Sequence, residues 1–114
     1  MSLHVERVGE VAVVVPEGML RGGKETDELQ NVLRKLIYDG QKKTILDLAK
    51  TSHITSLAIG VLTGVHASAK TKGLRFCMCN IESRIQSVLL TLMLLNIFVV
   101  YPNRAEALKA LAED

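Results

Sequence analysis

Two adjacent hydroxyl side chains, Thr55 and Ser56, are the first candidates for chemistry in this sequence. They lie in the stretch HITSLAIG, where an apolar, β-branched segment gives way to a segment with helical spacing. A hydroxyl at a helix N-terminus caps unpaired backbone N–H groups, and a phosphate placed there is favoured by the helix dipole. On position alone, both an N-cap and a phosphorylation site are open interpretations of Ser56.

The other reactive side chains do not form a catalytic or metal-binding pattern. His4, His53 and His66 are dispersed, without the spacing of paired metal ligands. Cys77 and Cys79 alternate along an apolar segment, which favours buried core positions over a nucleophile or a disulfide. We therefore expect no enzymatic activity, no metal and no cofactor.

The composition predicts one domain that spans residues 1–114. The chain is 48% hydrophobic, which suffices for a single core. Its 14 basic and 12 acidic residues are interspersed along the sequence, which argues against a nucleic-acid partner. The longest apolar run, residues 88–100, is shorter than the roughly 20 residues of a membrane span. Free cysteines and the lack of a secretory leader favour a cytoplasmic location.

Alternating strand and helix patterns predict an α/β fold. The runs LHVERV and VAVVVP, joined by Gly-Glu, predict a β-hairpin, and KTILDLA has the unbroken apolar character of a central strand. Asp47, near the end of that strand, is open to two interpretations, as a general base or as a structural residue. Two further strands are predicted, LRFCMCN and IFVVY, and four helices are predicted over residues 24–39, 56–72, 81–94 and 103–113. Gly40 and Gly73 mark the ends of the first two helices.

Four stretches, in this order, resemble the STAS domain of bacterial anti-sigma factor antagonists: ILDLAKTSHITSLAIGVL, GLRFCMCN, VLLTLMLLNIF and EALKAL. The resemblance covers nearly the whole chain, and it implies a four- to five-stranded mixed sheet with about four helices. In that family an Asp-Ser-Ser/Thr-Gly-Leu-Gly motif opens the helix after the central strand. Its first serine is phosphorylated by a partner kinase that doubles as the anti-sigma factor.

Ser56 falls on the phosphorylated serine of that motif. The motif's acid, its second hydroxyl residue and its first glycine are replaced here, and so is the acid of an upstream Gly-x-Leu-Asp segment. The replacing residues are Thr55, Leu57, Ala58 and Arg21. With Ser56, these four positions form the predicted motif and partner surface.

Two functions follow as alternatives. The first is a regulatory protein-binding module, a bacterial, cytoplasmic phosphoprotein that controls transcription by docking an anti-sigma factor or a serine kinase-like protein, with a switch at Ser56. The second is a STAS adaptor or structural subunit that does not switch and serves a larger signalling or transport assembly.

The second predicted helix has a face of small residues. Gly60, Gly64, Ala67 and Thr71 are spaced along one helix face, and we expect this strip of small residues to pack closely against the sheet or another helix.

The third predicted helix is apolar on more than one face. We expect it to bury Val88, Leu89 and Leu92 against the sheet, and to leave an excess of apolar residues at Leu90, Met93 and Leu95. The excess predicts an exposed patch for a homodimer or a docked partner, unless a neighbouring loop or the terminal helix covers it.

Overall fold

The computed structural model describes residues 3–92 and 97–113. Its elements are β1 (Leu3–Val8), β2 (Val11–Pro16), β3 (Gly18–Leu20), α1 (Lys24–Tyr38), β4 (Lys43–Asp47), β5 (Thr51–Ile54), α2 (Ser56–Thr71), β6 (Arg75–Cys79), α3 (Ser83–Thr91), β7 (Val100–Tyr101) and α4 (Arg104–Ala112). The predicted α/β class, with a mixed sheet of five strands and four helices in these ranges, is confirmed. Across residues 3–92 and 97–113, no helix combines the length and the apolar character that a membrane crossing requires.

The main sheet has the strand order β1-β2-β4-β6-β7. The first two strands form the predicted antiparallel hairpin, whose turn contains Gly9 at a φ of 59°. The later pairings are parallel, so each return to the sheet crosses over through a helix. In consequence, α1 and α2 begin near the carboxyl ends of the parallel strands and end near the amino ends of those strands.

The central strand β4 is buried on both faces, as its unbroken apolar run predicts. Ile45 and Leu46 have no exposed surface, and Leu48, just beyond the strand, is 1% exposed. Leu46 contacts the core under α1, α2 and α3, whereas Ile45 faces the smaller core under α4. The sheet therefore has helices on both faces.

The cysteines belong to the core under α4. Cys77 and Cys79 are both buried and carry free thiols. Burial raises the pKa of Cys77 to about 11 and that of Cys79 to about 12, so both remain protonated at neutral pH. The structure confirms core positions for both.

The prediction for the small-residue strip of α2 is wrong. Gly60 is exposed, and a Cβ atom added there would contact nothing within 4 Å. A Cβ atom at Gly64 would reach only the Arg34 guanidinium, at 3.5 Å. The larger apolar side chains of α2, such as Leu62 and Val65, take the core face instead because they bury more surface.

The third helix agrees only in part with its prediction. Leu89 is buried and Val88 is half-buried, as expected, but Leu92 is 40% exposed because α3 ends at Thr91. Leu90 is 66% exposed, which agrees with the predicted excess of apolar surface. Met93 and Leu95 lie outside the described residues.

The last strand is shorter than the run IFVVY suggests, since only Val100–Tyr101 pairs with β6. A small parallel sheet of β3 and β5 was not predicted.

Candidate functional site

The N-terminus of α2 is capped by Thr55, not by Ser56. Thr55 has an extended backbone, and its hydroxyl accepts a hydrogen bond from the N–H of Ala58 at 3.4 Å. Ser56 is the first helical residue, one position too late for its side chain to act as the cap. The sequence-based expectation of an Ser56 cap is therefore wrong, although Ser56 does begin the helix and is exposed.

The small sheet of β3 and β5 brings a second loop beside this helix terminus. The N–H of Thr55 donates to the carbonyl oxygen of Leu20 at 3.0 Å. This hydrogen bond fixes the residues that follow Leu20 against the start of α2. Gly22 has a φ of 90°, and a Cβ atom there would lie 2.8 Å from the Cβ atom of Leu57. Glycine is therefore required for this close approach, which places the neighbouring Arg21 on the same surface as Leu57.

This surface is apolar and basic. Leu57 is 70% exposed and Met19 is 41% exposed. The Arg21 guanidinium donates to the Met19 sulfur at 3.1 Å, so the cation lies along an apolar side chain. The first turn of α2 contains no acidic residue. Ala58, which we predicted to belong to the partner surface, is instead 1% exposed and is part of the core.

A shallow groove of about 230 Å³ separates Ser56 from α3. Ser87, Val88, Thr91 and Leu92 line its other side. The hydroxyls of Ser87 and Thr91 donate to carbonyl oxygens one turn earlier in their own helix, those of residues 83 and 87. The groove is thus bordered by an exposed serine on one side and by a mixed apolar and hydroxyl-bearing helix face on the other.

A cluster of polar side chains, which sequence reasoning missed, joins the start of α3 to the end of β5. Arg84 contacts the Nε2 atom of His53 at 3.2 Å and donates to the carboxylate of Glu82 at 2.8 Å. Its hydrogen bonds hold the pKa of Glu82 below the ordinary value. Residues 31 apart in sequence meet here, and neither charge pattern nor spacing indicated the contact.

Asp47 connects the central strand to two elements near the site. Its Oδ1 accepts hydrogen bonds from the Ala49 N–H and the Asn80 side chain, and its Oδ2 accepts from Arg104 at 2.9 Å. Burial alone would raise the pKa of Asp47, but these donors together hold it below the ordinary value. Asn80 has a φ of 57°, so this contact also fixes the turn that leads into α3. These contacts fit the structural interpretation of Asp47.

Among the described residues, those around Ser56 do not form a group of metal ligands. Across residues 3–92 and 97–113, no three histidine, cysteine, aspartate or glutamate side chains are grouped as metal ligands would be. Ser56 is an exposed hydroxyl at a helix N-terminus, flanked by apolar and basic side chains.

The fold is an α/β domain with a five-stranded mixed sheet. Residues 3–107 match the family model of the STAS domain, and the chain belongs to the STAS domain family. Among curated protein sequences, no significant match is found.

Solved structures share the fold at low sequence identity. A Thermotoga maritima protein assigned as an anti-sigma factor antagonist has a TM-score of 0.89 at 20% identity, covering 97% of this chain and 95% of that one. The phosphorylated Bacillus protein SpoIIAA has a TM-score of 0.76 at 17% identity, covering 96% and 99%. A sulfate transporter family protein of Wolinella succinogenes has a TM-score of 0.75 at 15% identity, covering 94% and 91%. These likenesses establish the fold.

Proposed function

We propose that this chain is a regulatory protein-binding module that docks an anti-sigma factor or a serine kinase-like protein through the surface around Ser56, and that phosphorylation of Ser56 weakens the complex. The observation that carries the proposal is the position of Ser56, exposed at the first residue of α2 and not used as the cap. On this proposal the protein acts in the bacterial cytoplasm as a phosphoprotein that regulates transcription.

A phosphate on Ser56 is compatible with the folded domain. The helix N-terminus favours negative charge, the first turn of α2 has no acid to repel it, and Arg21 belongs to the adjoining loop. Because Thr55 supplies the cap, modification of Ser56 leaves the capping hydrogen bond in place. The switch therefore acts on the docking surface and not by unfolding the domain.

The docking surface has the composition of a protein interface. Leu57 and Met19 are large, exposed and apolar, and Arg21 lies beside them. Leu92, just after α3, extends the apolar character on the far side of the groove, and Leu90 adds exposed apolar surface on α3. The likeness to SpoIIAA, an anti-sigma factor antagonist solved in a phosphorylated form, supports this type of partner. A homodimer through the same patch is a competing occupant, which light scattering of the unmodified protein tests.

The second candidate is a STAS adaptor that does not switch, as a subunit of a signalling or transport assembly. Thr55 and Arg21 favour it, because they replace both acids of the family pattern near the serine. The likeness to a sulfate transporter family protein gives this candidate a structural parallel.

A phosphorylation assay and two serine variants distinguish the candidates. Incubation with ATP and the cognate kinase, followed by intact-mass measurement, tests whether Ser56 is modified. Ser56→Asp leaves the free energy of unfolding within about 1 kcal/mol of wild type while weakening the partner complex in calorimetry. Ser56→Ala is the matched control, with partner affinity unchanged. Equal partner binding by wild type and Ser56→Asp would leave only the adaptor.

A further inference from the structure

The fold separates charges that are interspersed in the sequence. Nine basic residues and three acidic residues gather where β4 and β6 begin and α1, α2 and α4 end, whereas the other described residues include five basic and eight acidic residues. We call this region the basic end. Its charged residues are Arg7, Glu10, Arg34, Lys35, Asp39, Lys42, Lys43, Lys70, Lys72, Arg75, Lys109 and Glu113.

Direct contacts and shared grooves join these residues into one surface. Arg7 donates to the side chain of Gln41 at 2.7 Å, and Gln41 donates to the carbonyl oxygen of Glu10 at 2.7 Å. A groove of about 300 Å³ at this point is lined by charged side chains that include Lys42 and Lys43.

A second groove of about 300 Å³ runs between the last turns of α1 and α2. Arg34, Tyr38 and Lys72 line it, and the Lys72 ammonium lies 5.7 Å from the centre of the Tyr38 ring. The ring itself is 81% exposed. The basic end therefore presents an aromatic side chain surrounded by cations.

Helix termini explain only part of this charge. Lys35 and Lys70 lie in the last turns of α1 and α2, where cations complement the helix dipoles, and Lys35 also pairs with Asp39. Arg7 and Lys42 have no such role, and their charges face the same end. Lys43 and Arg75 make interactions within the domain. The basic end is therefore defined by its excess of basic over acidic residues.

We propose that the basic end docks on an anionic lipid surface. A cluster of this size is attracted to acidic headgroups through many weak contacts, for which flexible lysines suffice. Tyr38 adds an exposed ring with a polar hydroxyl, a combination favoured at the headgroup level of a membrane.

Other anionic partners fit this end less well. In the described ranges, the large apolar side chains exposed here are Tyr38 and Val8, too few for the buried core of a protein interface, whereas Met19 and Leu57 are exposed at the Ser56 end. Single-stranded nucleic acid would find one exposed aromatic ring among the described residues of this end, too few for a platform on which successive bases stack. A membrane bound at the basic end leaves Ser56, at the opposite end of α2, available to a protein.

Vesicle sedimentation tests the proposal. The folded protein is mixed with phosphatidylcholine vesicles that contain or lack phosphatidylglycerol. We expect binding only to the anionic vesicles, with a loss at high salt. The variant Lys42→Glu/Lys72→Glu lowers the vesicle affinity at least about tenfold. The matched control, Lys24→Glu/Lys50→Glu, makes the same charge change outside the basic end and leaves the affinity within about twofold.

Three results would overturn the proposal: equal binding to neutral and anionic vesicles, equal losses in the two double variants, or binding to duplex DNA or polyglutamate without vesicle binding. The test is independent of the proposed function at Ser56. Partner affinity should be unchanged in Lys42→Glu/Lys72→Glu, and vesicle binding should be unchanged in Ser56→Asp.

Discussion

Removal of the Arg104 guanidinium tests whether Asp47 stabilises the fold as its contacts indicate. Arg104 holds the Asp47 carboxylate with its Nε and Nη2 atoms, each at 2.9 Å, and reaches Glu6 with Nη1 at 2.8 Å. The Asp47 side chain is 5% exposed and that of Arg104 is 31% exposed. The substitution Arg104→Met keeps most of the aliphatic packing and deletes the donors.

The expected loss is about 2–3 kcal/mol in the free energy of unfolding. Removing one partner of a fully buried ion pair costs about 3–5 kcal/mol, because the other charge is left without compensation. Here the loss is smaller, since Asp47 retains its hydrogen bonds from Asn80 and Ala49 and water reaches Arg104. In urea melts this corresponds to a midpoint lower by about 1–2 M.

The pH dependence gives a second, independent measurement. Because the folded pKa of Asp47 is below its unfolded value of about 3.9, its stabilising contribution is complete above that value and disappears as the pH falls through the folded pKa. The difference between wild type and Arg104→Met should therefore be constant from about pH 5 to 7 and shrink below about pH 4.

Glu6→Gln is the matched control. It removes the exposed partner of Arg104 but leaves the contact with Asp47, and solvent screening makes its effect much smaller. An Arg104→Met protein as stable as wild type at neutral pH would refute the assigned role, and so would a stability difference that persists unchanged in acid.

Three further outcomes are expected. Gly22→Ala should lower the stability by about 1–3 kcal/mol because of its positive φ and the 2.8 Å approach, whereas Gly60→Ala, in open space inside a helix, should raise it by about 0.5–1 kcal/mol; opposite signs in denaturant melts check both. Thr55→Ala should cost about 1 kcal/mol through loss of the cap, and a neutral result would contradict the assignment. Cys77 and Cys79 should resist alkylation at neutral pH until the protein is unfolded, and rapid labelling of the native protein would show that the core opens readily.

Elements defined by strong local patterns were predictable from sequence. The unbroken apolar run of β4 and the glycines that follow α1 and α2 located those elements closely, because burial on both faces and positive φ angles restrict residue type. The short strands β3 and β5 were not predictable, since three or four residues carry too little periodicity.

The candidate site was predictable in position but not in detail. The family resemblance located Ser56 at the start of α2, whereas the register of the cap depended on one residue's backbone angles, which gave that role to Thr55. The strip of small residues was misassigned because sequence spacing defines a helix face without saying whether that face packs against the core or is exposed to solvent. The contact of Arg84 with His53 and that of Arg104 with Asp47 join distant segments, and no local pattern encodes them.

The pairing of β3 with β5 has a consequence for how this protein can evolve. Main-chain atoms hold the two loops of the site together, through contacts such as the Thr55 N–H to the Leu20 carbonyl. The side chains of Arg21 and Ser56 are exposed and are not needed for that geometry. Mutations at such positions can accumulate with little effect on folding, so the recognition properties of the surface can diverge between lineages while the architecture is inherited unchanged.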